Sequence, residues 1–232
     1  DARNVDIFQY NHPETLVLLA AGNSGVSGYH TVGSPATAKS AITVGASLNS
    51  GGSWKSLGQS SNGYNKNSLA AFSSRGPTYD GRLKPDVCGV GYYLTQAFHR
   101  YPSDSSIVHA DLNIVRGTSF STPLLAAHTA IIREYFMSGY YPTGSKRSSD
   151  SCIPSGALLK GILAHSTRAL KSIIYDSTDS TIGRVETTEY GDNLQGYGRV
   201  VLSDTLIFDK TSQLSPLTLY IIGCSITNSK SG

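Results

Sequence analysis

The sequence predicts an α/β protein built on buried strands. Three observations carry that prediction. Leu16–Ala21 and Ala41–Ala46 are short, nearly continuous apolar runs, the pattern of strands covered on both faces in a parallel sheet. A longer apolar-rich run follows Pro123, from Leu124 through Leu125, Ala126, Ala127, Ala130, Ile131 and Ile132 to Phe136, and reads as a buried helix. The composition fits: 15% charged residues and 24 glycines in 232 residues suit a loop-rich domain with a substantial core, not a disordered or coiled-coil chain.

The net charge of +3 is small, and the densest basic spot is Lys146-Arg147 in a Ser-rich loop, so nothing points to nucleic acid. Apolar runs such as Leu217–Ile222 are too short to span a bilayer. Cys88, Cys152 and Cys224 match no zinc or redox spacing and leave their pairing open; an odd count predicts one free thiol or a partner outside the chain.

In chain order, residues 1–13 read as a helix or turn closed by Pro13. The Leu16–Ala21 strand stops at Gly22-Asn23-Ser24-Gly25, a turn of residues that tolerate positive φ. Gly28 to Pro35 is a loop before the second buried strand. Residues 49–67 are a polar insertion holding Trp54, the one tryptophan. Leu69–Ser74 is a short strand turned by Arg75-Gly76-Pro77. A strand is expected within Leu83–Val90 and another near Tyr92–Ala97, with a polar loop at 99–111. The helix after Ser119 should stop near Met137 or Ser138, at Gly139. A second helix should start at Ser155-Gly156, with Leu158, Leu159, Ile162 and Leu163 on one face. Residues 172–193 read as a polar connection, and Asp204 to Phe208 as a short helix. Residues 1–205 form the main domain; 206–232 are a linker and a strand, Leu217–Ile222, expected to open a β-rich domain or to pack on the main one.

Two stretches carry chemistry. Gly117-Thr118-Ser119-Phe120-Ser121-Thr122-Pro123 delivers a serine to the first turn of the helix, with Pro123 accepted where N–H groups lack intrahelical partners. Free N–H groups and the positive dipole end favour negative charge there. An ordinary Ser/Thr cap has the same local wording. Asn23 stands at a strand's carboxyl end, where open α/β sheets place their chemistry. A side-chain amide and a helix N-terminal N–H converging on one oxygen have the composition of an oxyanion hole.

These residues resemble the subtilisin-like serine peptidases. The wording around Ser119 is similar to the family's nucleophile motif, and Ala20-Ala21-Gly22-Asn23-Ser24-Gly25 to its oxyanion-asparagine motif. Gly33–Ala46, Phe72-Ser73-Ser74-Arg75-Gly76-Pro77, Lys84-Pro85-Asp86-Val87 and Gly196-Tyr197-Gly198-Arg199-Val200 follow further landmarks in order, over residues 10–205. The wording is closest to the subgroup whose catalytic domain precedes a β-sandwich. The resemblance implies a three-layer α/β/α fold with a mostly parallel sheet, lacking its N-terminal part. It also implies hydrolysis of peptide bonds in a polypeptide substrate through an acyl-enzyme. Ser119 would be the nucleophile and Asn23 an oxyanion donor; Leu19, Ala20, Ala21, Gly22 and Thr118 would bind substrate. No cofactor is identified; calcium and a secreted or lumenal site are implied by the resemblance alone.

The chain departs from the family in one decisive respect. The triad order is Asp, His, Ser, yet no Asp-x-Gly or His-Gly-Thr pattern surrounds Asp1, Asp6 or His12. The triad Asp and His are therefore expected upstream, in the N-terminal half of the same catalytic domain, and this chain alone is expected to be inactive. Phe120 replaces the usual Met, and Cys88-Gly89-Val90-Gly91 stands where Ala-Pro-Gly is common. His128, nine residues past Ser119, cannot lie beside it on the helix. His165 suits a helix end, His99 and His109 a loop, and Asp86 a structural hydrogen-bonding role. The alternative is a pseudopeptidase that holds an extended peptide without cutting it; an esterase is disfavoured by the missing Gly-x-Ser-x-Gly elbow.

Overall fold

Apolar patterning selects the strands, and their neighbours decide how deeply each is buried. The computed structural model describes residues 1–50, 66–100, 109–174, 182–184, 191–208 and 225–226. The insertion around Trp54, the tip of the 99–111 loop, the Leu217–Ile222 strand and Cys224 lie outside the described residues. In chain order the elements are α1 (Ala2–Asn11), β1 (Leu18–Ala20), β2 (Ile42–Leu48), β3 (Ser68–Ala70), β4 (Val87–Tyr92), β5 (Leu94–Arg100), β6 (His109–Val115), α2 (Thr118–Met137), β7 (Cys152–Ile153), α3 (Gly156–His165), β8 (Thr167–Arg168), β9 (Ser172–Ile174), β10 (Ile182–Arg184), β11 (Arg199–Val200) and β12 (Ser225–Ile226).

The α/β class is observed. Eight strands form one sheet in the order β10-β9-β3-β2-β4-β11-β8, with β1 paired to β2. The pairs β1/β2, β2/β4, β4/β11 and β3/β9 are parallel; β2/β3, β8/β11 and β9/β10 are antiparallel. β5 and β6 form a separate antiparallel hairpin, and β12 pairs with β7. All seven residues of β2 are buried. α2 crosses β1, β2 and β4, and its Leu125, Ile132 and Phe136 pack with Ile42, Val44 and Val87. Leu159, Ile162 and Leu163 of α3 join the same cluster. Each such side chain contributes on the order of 1.5–3 kcal/mol when fully buried. A second cluster, Leu69, Ala71, Cys88, Leu170 and Ile173, contains no helix residue.

A buried ionic network ties β2 to β4. Lys84 is 2% exposed, and its Nζ lies 2.5 Å from Asp86 Oδ2 and donates to Thr43 Oγ1 at 2.8 Å. Asp86 Oδ2 also accepts the Thr43 N–H at 2.7 Å, and its Oδ1 lies 3.3 Å from Lys160 Nζ. The charges are thus paired and hydrogen-bonded, which is the condition for burying them. Asp86 has the structural role expected of it.

Five local expectations change, the first being that His99 and His109, expected in a polar loop at 99–111, lie in β5 and β6, whose pairing carries the hairpin into that stretch. The Leu16–Ala21 run reads as buried on both faces, yet Leu18–Ala20 are only half-buried, because β1 pairs with β2 and has no second strand neighbour among the described residues. Pro123 lies inside α2 rather than in its first turn, since the helix already begins at Thr118. Its missing N–H leaves the Ser119 carbonyl without the usual i+4 donor. The 172–193 stretch holds two short strands, β9 and β10. The short helix expected at 204–208 is a 3₁₀ turn at Leu202–Asp204.

Candidate active site

The turn after β1 and the start of α2 meet at the carboxyl end of β1. The parallel register Leu18↔Ile42 to Ala20↔Val44 sets β1, and the Ala21 N–H continues the ladder to the Val44 carbonyl at 2.9 Å. The chain then leaves the sheet at Gly22, whose φ of 107° favours glycine. Ser74 buttresses the turn: its N–H donates to the Gly22 carbonyl at 2.9 Å, and its Oγ accepts the Ser24 N–H at 3.1 Å. Gly25 donates to the Phe72 carbonyl at 2.8 Å.

Asn23 reaches from this turn to α2. Its Oδ1 accepts the Thr118 N–H at 2.9 Å and the Thr118 hydroxyl at 3.1 Å. The Thr118 N–H defines which end of the amide is which, because a reversed amide would set NH₂ against that donor. The Nδ2 group is thereby turned toward Gly117 and Ser119. A Cβ placed on Gly117 would stand 3.5 Å from Asn23 Nδ2 and 3.1 Å from Ser119 Oγ. Gly117 has φ 147°, so glycine both allows this backbone and keeps the space open.

Ser119 is the second residue of α2 and is exposed. Its N–H belongs to the first turn, which has no intrahelical acceptor, at the positive end of a 20-residue helix. The space beside Ser119 Oγ is therefore flanked by a side-chain amide and a helix N-terminal N–H. Such a pair can hold a negative oxygen that develops during attack on a carbonyl. Among the described residues Ser119 Oγ has no hydrogen-bonding partner.

The other candidates fall around this centre. Leu19, Ala20 and Gly22 are half-buried, while Ala21 is 2% exposed and packs with Val32 and Ala36. Thr118 is 1% exposed. Its hydroxyl also accepts the Gly22 N–H at 3.1 Å, locking both arms of the site together. Phe120 is half-buried. The buttressing by Ser74 and the orienting hydroxyl of Thr118 have no local sequence signal beyond their motifs, because both act across long separations.

His128 sits half-buried on α2, and burial holds its imidazole below the ordinary value. Burial pushes the Cys88 thiol far up, so this free cysteine stays protonated and unreactive. Cys152 is disulfide-bonded. No group of three or more His, Cys, Asp or Glu side chains that could hold a metal ion occurs among the described residues. Among those residues, no helix is long and apolar enough to cross a membrane.

Comparison with known proteins defines the class. The model of the subtilase family of peptidases matches residues 2–198. The chain belongs to that family. It is 31% identical, over 91% of its length, to the serine protease/ABC transporter B family protein tagD of Dictyostelium discoideum. It is 30% identical, over 95% of its length, to the tagB protein of the same description and organism. The chain spans 15% of the length of each of these relatives. It is also 35% identical, over 50% of its length, to the serine protease AprX of Bacillus subtilis, covering 25% of that protein.

Proposed function

We propose that this chain is part of a serine endopeptidase that hydrolyses peptide bonds through an acyl-enzyme on Ser119. The observation that carries the reading is the convergence of Asn23 Nδ2 and the α2 N-terminus on the space beside Ser119 Oγ. Ser119 Oγ attacks the scissile carbonyl carbon, and its proton passes to a histidine. The carbonyl oxygen becomes negative between Asn23 and the Ser119 N–H. Collapse expels the amine with the histidine's proton, and water then repeats the sequence to release the acid. The acyl side of the substrate lies against Leu19–Gly22 at the carboxyl end of β1.

The histidine and its orienting aspartate come from an upstream segment of the same polypeptide. The half-exposed apolar edge of β1 supports this, as do Leu124 (40% exposed) and Ile131 (48%) on α2. Residues 1–232 alone therefore have no useful proteolytic activity, since an oxyanion hole without its base gives only weak residual catalysis. The disulfide at Cys152 supports a secreted or lumenal site.

The test is a serine-directed fluorophosphonate probe on the full-length protein. The expected result is labelling that disappears in Ser119→Ala, together with casein cleavage. Full-length protein that resists labelling, yet binds an extended peptide, would instead favour the pseudopeptidase.

A further inference from the structure

We infer that Arg116 selects acidic side chains next to the scissile bond; this rests on the endopeptidase reading above. Arg116 lies three residues before Ser119 and is exposed. Its backbone is held on both sides. Val115 pairs with Leu94 at the foot of the β5/β6 hairpin, and the Gly117 N–H donates to the Gly91 carbonyl at 2.8 Å. Its guanidinium sits over the Tyr92 ring, 6.0 Å from the centroid. Tyr92 is itself buried, packed on Phe72 and edge-on to Tyr93.

An anchored guanidinium loses less freedom on binding than a free one, and its planar donors match a carboxylate. Among the described residues no carboxylate lies within ion-pair distance of Arg116. Burial pushes the Tyr92 phenol up to about 12, so the ring beneath the cation stays neutral and leaves its charge uncompensated. By contrast Arg82 pairs with Asp80, and Arg168 with Asp204. Gly117 alone separates Arg116 from Thr118, whose N–H holds Asn23. The closeness of Arg116 to Ser119 along the chain puts a peptide whose carbonyl oxygen is bound at Asn23 and Ser119 near a cation that has no carboxylate partner among the described residues.

The experiment uses the full-length protein and paired peptide libraries with Glu or Gln, and Asp or Asn, at each position flanking the cleaved bond. Probe labelling of Ser119 is measured in parallel. The expected result is an acidic-over-amide preference in kcat/KM of roughly 1.5- to fivefold at one position, the range of an exposed ion pair. The preference should disappear in Arg116→Gln, be retained in Arg116→Lys, and shrink in the unaltered protein as salt rises from about 0.05 to about 0.5 M. Cleavage without an acidic preference, or a preference that survives Arg116→Gln or high salt, overturns the inference while leaving the endopeptidase reading intact. Absence of labelling and cleavage in the unaltered protein overturns that reading first. The salt series needs no variant, so misfolding of Arg116→Gln does not shield the inference.

Discussion

Thr118 illustrates how much a single hydroxyl can organise. It donates to Asn23 Oδ1 and accepts from the Gly22 N–H, so one side chain orients the amide and closes the gap between turn and helix. Asn23→Ala should lower kcat by about 10²–10³, the loss known for an oxyanion asparagine in a subtilisin. Thr118→Val should lower it less, by roughly fivefold to thirtyfold, because the Thr118 N–H still holds Asn23 while the two hydroxyl hydrogen bonds, to Asn23 Oδ1 and from the Gly22 N–H, are lost at about 1 kcal/mol each. Pre-steady-state turnover of the full-length protein measures both; equal losses in the two variants would refute this division of labour.

At the scale of elements, the site depends on how closely the Asn23 turn lies against the segment after β3. Gly25 has no room for a side chain: a Cβ would stand 2.0 Å from the Ser73 carbonyl oxygen and 2.7 Å from that of Ala71. Backbone cannot yield as a flexible side chain can. Gly25→Ala should therefore cost about 1–3 kcal/mol of stability. It should also slow acylation of Ser119, because the turn that moves carries Asn23. Thermal melting and probe-labelling rate measure the two effects. Gly28, where an added Cβ meets nothing within 4 Å, is the control for proximity, although its φ of 100° also disfavours alanine.

At the scale of the whole molecule, α2 joins the sheet to the site and carries a titratable group along its length. The folded state disfavours charged His128 through burial. The unfolded chain then binds more protons near the ordinary histidine value of about 6.5. This group's stabilisation is fully present above that value and is lost as pH falls through the lower folded-state value. Urea midpoints of the full-length protein should fall between about pH 7.5 and about pH 5, with a shallower fall in His128→Gln. An unchanged slope in the variant would assign the pH dependence elsewhere.

Much of this protein was legible in its sequence. The apolar runs located β1 and β2, Gly139 marked the end of α2, and Ser155 announced α3, whose Leu158 N–H its hydroxyl caps at 3.1 Å. The serine and asparagine stretches pointed to the subtilase family because short motifs encode a local backbone and a residue type together. Other features arise only from tertiary packing. Whether an apolar run lies at a sheet's centre or its edge depends on neighbours, so Leu18–Ala20 and Ile42–Leu48 look alike in sequence but differ in burial. The direction of the Asn23 amide, the buttress from Ser74 and, among the described residues, the absence of a carboxylate partner for Arg116 depend on contacts that chain order does not reveal. A sequence states which groups exist; only the fold determines which of them meet, because hydrogen bonds and ion pairs act over a few ångströms of space, however many residues intervene.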